Sequence, residues 1–402
     1  MVRRPDVLAA LRAHPALDAL RGEPGVHVVG GAVRAALLGR APHELDLVVE
    51  GDAAAVARRA AARLGGIAVV HDRFGTATVR APATTFDLAS TRRERYARPG
   101  ALPDVELGAT LAEDLARRDL SVNAIALALG DARLTAWEGA LEDLRAGVLR
   151  VLHDASFRDD PTRMLRLARY AGRLGFAPDA HTDALLAAAV RDGATATVTG
   201  ARLGEELRLL AREPQPAALS ALERHGLGNA VLGPGFAVDP EVVERAVALT
   251  PADARADLAA LAACLAGSRR ELCERLDALG FPAREREIVA TAAAFKRRLA
   301  SVLAPSPPGD EALWRALRRE PNEAVAVAGG LDQAAAPAAR RWLDDIRHRR
   351  LAITGDDVVA AGLRGPVVGA ALEAAMAAHL RGEAPDRDSQ LAAALAAVDE
   401  TG

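Results

Sequence analysis

Cysteine and lysine are nearly absent from this chain of 402 residues. The two cysteines, Cys264 and Cys273, lie in a stretch with helical periodicity, and they are too few for a disulfide framework or a four-cysteine zinc site. Lys296 is the only lysine, so arginine carries almost all of the positive charge. The scarcity of cysteine fits a reducing compartment, and we expect a cytoplasmic protein.

A strong net charge and long apolar runs are lacking too. The chain has 51 Lys+Arg against 54 Asp+Glu, so no overall positive field indicates a nucleic-acid partner, although a local basic patch is compatible with this composition. No stretch reaches about 18 apolar residues without a charge. Segment 1–20 alternates charged residues with short apolar runs. We therefore expect neither a targeting segment nor a membrane span.

Apolar residues are abundant enough for several packed cores. They make up 50% of the chain and charged residues 26%, which excludes a disordered or low-complexity polymer. At about 100–200 residues per domain, the length predicts two to four parts.

Short strands alternate with helices over roughly the first 130 residues, which predicts a small α/β domain. The predicted strands are 26–29, 45–49, 67–70, 76–80 and 85–90, with helices at 32–40 and 53–64. Beyond residue 140 the pattern changes to helical periodicity broken by Gly or Pro, and strand patterns almost vanish. The best linker is the proline-containing segment 303–309. The predicted fold class is α+β.

A glycine pair marks the first candidate for chemistry. Gly30 and Gly31 end the first strand and open a helix, where glycines let backbone N–H groups approach an anion. Carboxylates follow on the next predicted strand, where Glu44 and Asp46 face the same side because strand side chains alternate. Two carboxylates near a phosphate-binding turn suit Mg²⁺. The alternative is a solvated strand end with ordinary surface acids.

Further along the chain, Asp87 lies on a predicted strand with apolar or small neighbours and is a candidate third acid for phosphoryl transfer. Segment 115–125 then combines Arg117, Arg118 and Asp119 with Asn123 at the start of an apolar run. These residues form either a surface salt-bridge cluster or a nucleotide contact made by Arg118.

The last candidate is a helix that begins near Pro161. Asp160 is placed to cap it, and Arg163, Arg166 and Arg169 follow at intervals of three, so one face of the helix is basic. A solvated basic face is the usual explanation of such spacing. An acceptor next to an arginine fork would equally read the edge of a nucleobase.

Taken together, these residues resemble the class II tRNA nucleotidyltransferase and bacterial poly(A) polymerase family of the DNA polymerase β superfamily. The resemblance covers the first 175 residues or so in order and spacing, with a further match near the end at 351–358, so the motifs are jointly specific. The motifs that carry it are Gly30-Gly31-Ala32-Val33-Arg34-Ala35, Leu37-Leu38-Gly39-Arg40, Glu44-Leu45-Asp46, Arg117-Arg118-Asp119-Leu120-Ser121-Val122-Asn123-Ala124 and 159–170.

The resemblance implies a nucleotidyltransferase head with a small mixed sheet at 1–140, a helical neck with a base-reading motif at 141–205, a helical body at 206–302 and an RNA-binding helical tail at 303–402. It also implies the reaction: attack of an RNA 3′-hydroxyl on the α-phosphate of CTP or ATP, with release of pyrophosphate. The implied partners are a tRNA or other RNA 3′ end, CTP and ATP.

By the same resemblance, Glu44 and Asp46 hold Mg²⁺, with Asp87 as a third catalytic acid. Gly30, Gly31 and Arg34 lie at the nucleotide phosphates, and Arg118, Asp119 and Asn123 also belong to the nucleotide site. The pair Asp160 and Arg163 reads the base, while Arg166 and Arg169 support the phosphates.

The sequence departs from the family pattern at three single positions and in one segment, since the family's Asp-Pro-(Phe)-Gly-Gly hinge is reduced here to Thr135-Ala136-Trp137-Glu138-Gly139. Glu44 stands where the family has the first metal-binding Asp, Ala35 stands where it has an Asp after Val-Arg, and Asp159 is the first acid of the base-reading motif. Glu44 keeps the charge but extends the carboxylate by one methylene, and Mg²⁺ demands near-ideal octahedral geometry. Three functions therefore stay open: CCA addition to tRNA, a narrower A-adding, CC-adding or poly(A)-adding activity, and a catalytically attenuated RNA-binding relative.

Overall fold

The computed structural model describes residues 11, 15–42, 45–71, 75–304 and 308–399, and over these residues the fold is α+β, as predicted. The chain divides into two compact units. Unit 1 comprises Met1–Leu210 and Arg224–Val231, and unit 2 comprises Ala211–Glu223 and Leu232–Gly402. The four-part division into head, neck, body and tail stays a prediction. Among the described residues, no helix has the length and apolar character needed to cross a bilayer.

Unit 1 is built on a mixed sheet of seven strands. Its strands are β1 Val26–Val29, β2 Asp46–Val49, β3 Ile67–His71, β4 Thr76–Ala81, β5 Thr84–Ser90, β8 Ile125–Ala128 and β9 Leu134–Ala136. Their order is β3-β4-β5-β2-β1-β8-β9, in which only the β2–β5 pair is parallel within this described sheet. Two short pairs accompany it: β6 Arg92–Arg95 with β7 Asp104–Leu107, and β10 Val148–Leu149 with β11 Ala177–Pro178.

The helices of unit 1 follow the strands along the chain. They are α1 Pro15–Ala19, α2 Gly31–Leu37, α3 Ala53–Leu64, α4 Leu111–Ala116, α5 Ala140–Ala146, α6 Ser156–Asp159, α7 Thr162–Leu174, α8 Ala180–Arg191, α9 Gly200–Ala211 and α11 Leu227–Leu232. One face of the sheet is covered by a cluster that includes Val29, Val48, Leu111, Leu115 and Ala126. This apolar packing holds β1, β2 and β8 in place, and polar residues at the ends of these strands form part of the candidate site.

Unit 2 is entirely helical over its described residues. Its helices are α10 Ala217–Arg224, α12 Pro240–Leu249, α13 Ala256–Ala263, α14 Arg269–Ala278, α15 Ala283–Leu303, α16 Asp310–Leu317, α17 Asn322–Leu331, α18 Ala336–Asp344, α19 Gly355–Ala360, α20 Pro366–Leu380 and α21 Arg387–Asp399. Helix α17 packs very closely on its neighbours, because a Cβ at Gly330 would lie 2.7 Å from the backbone nitrogen of Ala246 on α12.

Several predicted boundaries change in the structure. The predicted strand 45–49 begins at Asp46, and the sequence pattern does not predict strands β6 to β11. The charge-rich sequence of β6, Arg92-Arg93-Glu94-Arg95, hides its strand character because the stabilising contacts are ion pairs rather than an apolar face. Of the predicted linker 303–309, residues 305–307 lie outside the described part, and both flanks belong to unit 2.

Candidate active site

A polar cleft of about 420 Å³ lies in unit 1 between the sheet and helices α7 and α9. Its size falls within the range of about 300–1,000 Å³ that is common for small-molecule sites. The side chains and turns that line it are Gly30, Gly31, Asp46, Glu94, Tyr96, Arg117, Arg118, Asp119, Asn123, Asp160, Thr162, Arg163, Arg166, Tyr170, Arg202, Glu205 and Glu206. Most of the predicted site residues are thus brought to one place from distant parts of the chain.

The glycine turn at the cleft has a backbone conformation that favours glycine. Gly30 has φ 65°, and a Cβ there would lie 3.1 Å from Nη1 of Arg118 and 4.0 Å from Oδ2 of Asp46. The positive φ strains any other residue, and a Cβ would also crowd the Arg118 guanidinium.

The two described catalytic candidates among the acids lie on neighbouring strands. Asp46 on β2 and Asp87 on β5 are direct partners in the parallel register, so both exposed side chains project from the same face of the sheet. Thr78 on β4 donates its hydroxyl to Oδ1 of Asp87 at 2.6 Å. Glu44 and His43 lie outside the described residues.

The acid pair suits Mg²⁺ in part. Within the described residues, no cluster of three or more His, Cys, Asp or Glu side chains forms a complete protein cage for a metal. Mg²⁺ in phosphoryl-transfer sites is usually held by one or two carboxylates together with substrate phosphates and water, so a complete cage is not needed. Asp46 and Asp87 fit that donor set.

Arg34 is a buried cation beside the cleft. Its guanidinium carbon lies 4.8 Å from the centre of the Tyr170 ring, and only 4% of the residue is exposed. Nη1 of Arg34 has no hydrogen-bond partner in the described part of the chain, and burial lowers the pKa of this arginine. A buried charge without a carboxylate partner is costly, so this position favours an anionic ligand.

The adjacent arginines form an ion-pair network rather than the surface cluster that we considered as an alternative. Arg117 and Arg118 donate to the fully buried carboxylate of Asp114 at 2.8 and 3.1 Å. Although burial alone would raise the pKa of Asp114, the two arginines hold it below its ordinary value. Nε of Arg118 has no partner among the described residues. The network orients Arg118 toward the glycine turn.

Asp119 organises the middle of the cleft from a buried position. It accepts hydrogen bonds from Asn123 at 2.9 Å and from Arg166 at 2.8 Å. Burial would raise the pKa of Asp119, but Arg166 and Asn123 lower it overall. Oδ1 of Asn123 has no partner within the described part of the molecule and is left as an acceptor.

Arg166 and Arg169 are already neutralised by protein carboxylates. Arg166 pairs with Asp119 and with Glu206 on α9, and Arg169 lies 3.4 Å from the second oxygen of Glu206. Their predicted role at the nucleotide phosphates stays a prediction, since their charges are compensated without a ligand. Arg169 is buried, and so is Arg163, which rules out the solvated-face alternative for these two residues.

Arg163, which is predicted to read the base, is fixed by several acceptors. Nη1 donates to Ser156 Oγ at 2.9 Å, and Nη2 donates to the Arg117 carbonyl oxygen at 2.8 Å. Longer contacts of 3.4 Å join it to the Tyr96 hydroxyl and to the His153 ring. A ligand at this position would therefore contact Nε of Arg163, or would replace one of the two long contacts.

Several residues of the cleft were not predicted as site residues. Glu94 lies on strand β6, which the sequence pattern did not reveal, and Tyr96 directly follows it. Arg202 and Glu206 lie on a helix with no recognisable motif. Asp114, which does not line the cleft but pairs with Arg118, had a sequence indication because it precedes Arg118 by four positions.

Similarity to known proteins agrees with this geometry. The family described as the poly A polymerase head domain matches residues 26–150. The A-adding tRNA nucleotidyltransferase of Geobacter sulfurreducens is 40% identical over 242 residues, which cover 56% of this chain and 27% of that protein. The CC-adding tRNA nucleotidyltransferase of Deinococcus radiodurans is 40% identical, over 51% of this chain and 55% of the relative. The matches thus span about half or less of these curated relatives.

Solved structures show the same fold over almost the whole chain. An apo form of a CCA-adding enzyme superposes with a TM-score of 0.80 at 26% identity, covering 97% of this chain and 96% of the other. The Thermotoga maritima CCA-adding enzyme complexed with tRNA gives a TM-score of 0.75 at 25% identity, with the same coverage.

The polar cleft, the paired strand carboxylates and the arginine-rich helix α7 agree with a nucleotidyltransferase fold and site. Residues 26–150 match the poly A polymerase head domain family, and the chain is similar in sequence and fold to tRNA nucleotidyltransferases.

Proposed function

We propose that this protein adds C and A residues to the 3′ end of tRNA without a nucleic-acid template, as predicted from the sequence. The observation that carries the proposal is the cleft itself. It joins Asp160 and Arg163, which suit a base edge, to Asp46, Gly30 and Arg118, which suit a triphosphate. Relatives and similar structures named as tRNA nucleotidyltransferases and CCA-adding enzymes support the same reaction.

We assign the residues of the site different roles in one displacement reaction at phosphorus. The RNA 3′-hydroxyl attacks the α-phosphorus, a new P–O bond forms, and the bond to the β-phosphate breaks to release pyrophosphate. Asp46 and Asp87 would hold Mg²⁺, and one of these carboxylates would accept the proton of the attacking hydroxyl. Arg34 and Arg118 bind the negative charge of the phosphates. Bound Mg²⁺ would neutralise the developing charge and lower the pKa of the attacking hydroxyl.

Nucleotide choice rests on donors and acceptors at the other end of the cleft. The Asp160 carboxylate can only accept, so it favours the exocyclic amino groups that cytosine and adenine carry. Arg163 can only donate, so it favours ring acceptors. Uracil and guanine present an acceptor where the amino group would be, which places two acceptors against each other.

We propose that the partner of this site is an RNA and that the enzyme acts in the cytoplasm. The protein carries a formal net charge of −3, so its overall electrostatic field does not attract RNA. RNA would instead be bound by local basic surfaces. The helical region 303–402 is our proposed RNA-binding tail.

The direct test is extension of a tRNA that ends at the discriminator base. The protein is incubated with this tRNA, Mg²⁺ and each nucleotide alone or in pairs, and the 3′ ends are sequenced. We expect incorporation of C and A, with UTP and GTP rejected. Equal incorporation of UTP would contradict the base-reading assignment, and no addition to any RNA end would leave only a non-catalytic RNA-binding relative.

A narrower activity is the second candidate, because relatives of similar identity are named for A addition and for CC addition. Two further RNA substrates separate the candidates, one ending in CC and one lacking all three terminal nucleotides. A CCA-adding enzyme extends both to CCA, an A-adding enzyme extends only the first, and a CC-adding enzyme stops after two additions to the second.

A further inference from the structure

The two oxygens of the Asp160 carboxylate have different surroundings. Oδ1 accepts hydrogen bonds from the backbone N–H of Thr162 at 3.0 Å and from its hydroxyl at 2.6 Å. Arg202 adds a third donor, with Nη2 at 3.0 Å from the same oxygen. Oδ2 accepts no hydrogen bond from any residue that the structure describes. One oxygen is therefore saturated by the protein, and the other is left to accept from a ligand in the cleft.

Arg202 is itself held at a second point. Its Nη1 donates to the carbonyl oxygen of Gly100 at 3.0 Å. The Gly100 backbone cannot shift easily, because its N–H donates to the Asp159 carbonyl oxygen. It also packs closely on Thr197, since a Cβ at Gly100 would lie 2.4 Å from the Thr197 carbonyl oxygen. The planar guanidinium thus bridges a fixed carbonyl and the Asp160 carboxylate, which is a geometry that a single ammonium group does not reproduce.

We propose that Arg202 is a positioning residue for nucleotide selection: it fixes the plane of the Asp160 carboxylate so that Oδ2 meets the exocyclic amino group of the incoming base. This inference rests on the proposed function. Nothing in the local sequence around Arg202 indicates such a role, because the residue reaches the base-reading motif from a helix some forty positions away.

The expected consequence of losing Arg202 is a loss of choice rather than a loss of turnover. The two bonds from Thr162 keep Asp160 in the cleft, while the carboxylate gains freedom to rotate about its last torsion. A rotated carboxylate presents Oδ2 less well to an amino group and excludes the carbonyl of uracil less strictly. The acids at the other end of the cleft are untouched.

The experiment compares Arg202→Ala and Arg202→Lys with Arg208→Ala, a half-buried arginine on the same helix that does not line the cleft. Single-nucleotide addition to tRNA gives kcat/KM for CTP, ATP and UTP. We expect Arg202→Ala to lower the CTP:UTP preference by roughly 10-fold, within the range known for single base contacts. Arg202→Lys should recover part of it, and Arg208→Ala should match the wild type.

A double-mutant cycle with Asp160→Ala distinguishes positioning from general support of the fold. If Arg202 acts through Asp160, then Arg202→Ala has no further effect on selectivity once Asp160 is gone. Full additivity, or an unchanged CTP:UTP preference in Arg202→Ala, would overturn the inference. A wild type that extends no RNA would instead contradict the proposed function. If Arg202→Ala does not fold, Thr162→Val removes one donor to the same oxygen and is expected to lower the same preference, and an unchanged preference there would count against the inference.

Discussion

Units 1 and 2 are both compact, but they bury different kinds of side chain. Among the described residues, the buried polar and charged side chains of unit 2 are Glu213, Glu323 and Gln390, whereas the rest of this class lies in unit 1. Unit 2 instead buries alanines along α13, α15, α17 and α18, and its helices approach to glycine-limited distances. Burying a charge is costly without a partner, while burying alanine costs little beyond ordering the chain.

This contrast indicates that unit 1 contains the candidate active site and that unit 2 is mainly a packed helical scaffold. In unit 1 several buried polar and charged side chains line one cleft, among them Asp119, Asn123 and Arg163, and Nη1 of Arg34 beside it has no hydrogen-bond partner in the described chain. Burying such charges costs free energy unless a partner or a ligand compensates them. In unit 2 small side chains pack closely, and this packing stabilises the arrangement of its helices. Substitutions in the two units should therefore fail in different ways.

The largest effect is expected at Asp46. Asp46→Asn keeps the size of the side chain but removes the charge that holds the metal beside Asp87, so we expect nucleotide addition to fall by roughly 1,000-fold or more. The rate of single-turnover CTP addition to tRNA measures this loss. The affinity for tRNA is the control and should stay unchanged. Near-normal addition would mean that Asp46 is only a solvated acid at a strand end.

Arg34 should come next. Arg34→Gln removes the buried cation, so we expect the KM for CTP and ATP to rise by roughly 10- to 100-fold, the value of one charge-assisted contact. The CTP:UTP preference should not change, because we assign Arg34 to the phosphates and not to the base. Arg58→Gln, at an exposed arginine on α3, is the matched control. A loss of base preference in Arg34→Gln would contradict the division of the cleft into two ends.

Arg163→Ala should relax nucleotide choice while leaving tRNA affinity nearly unchanged. A well-placed base contact contributes about 1–3 kcal/mol of discrimination, taking groove contacts as a loose analogue. Incorporation of UTP relative to CTP measures this effect, and tRNA binding is measured separately. If tRNA affinity collapses while selectivity survives, Arg163 contacts the RNA rather than the base.

A pair of glycines in unit 2 should give the smallest effects on function. Gly330→Ala places a Cβ 2.7 Å from the backbone of α12, so we expect a loss of about 1–3 kcal/mol in the free energy of unfolding. Gly369→Ala on α20 meets no atom within 4 Å and should stabilise by about 0.5–1 kcal/mol. Urea unfolding measures both. Altered nucleotide preference in either folded variant would show that unit 2 takes part in base selection.

The sequence predicted local features better than the contacts between them. The strand at Val26–Val29, the turn at Gly30 and the acids Asp46 and Asp87 follow from alternation and composition within short windows. Arg202 and Glu206 could not be found in this way, because their partners Asp160 and Arg166 lie about forty residues earlier and the helix that joins them has no motif. The pairing of Asp46 with Asp87 likewise depends on a parallel strand register that no local pattern encodes.

The central claim is that one cleft in unit 1 holds both the base-reading and the phosphate-binding residues. Calorimetric titration of the 402-residue chain with CTP, ATP and UTP in the presence of Mg²⁺ tests it directly. We expect one nucleotide to bind per chain, CTP and ATP to displace each other, UTP to bind at least roughly 10-fold more weakly, and Arg34→Gln and Arg163→Ala each to weaken the same binding event. Independent binding of CTP and ATP, or nucleotide affinity that survives both substitutions together, would contradict the claim.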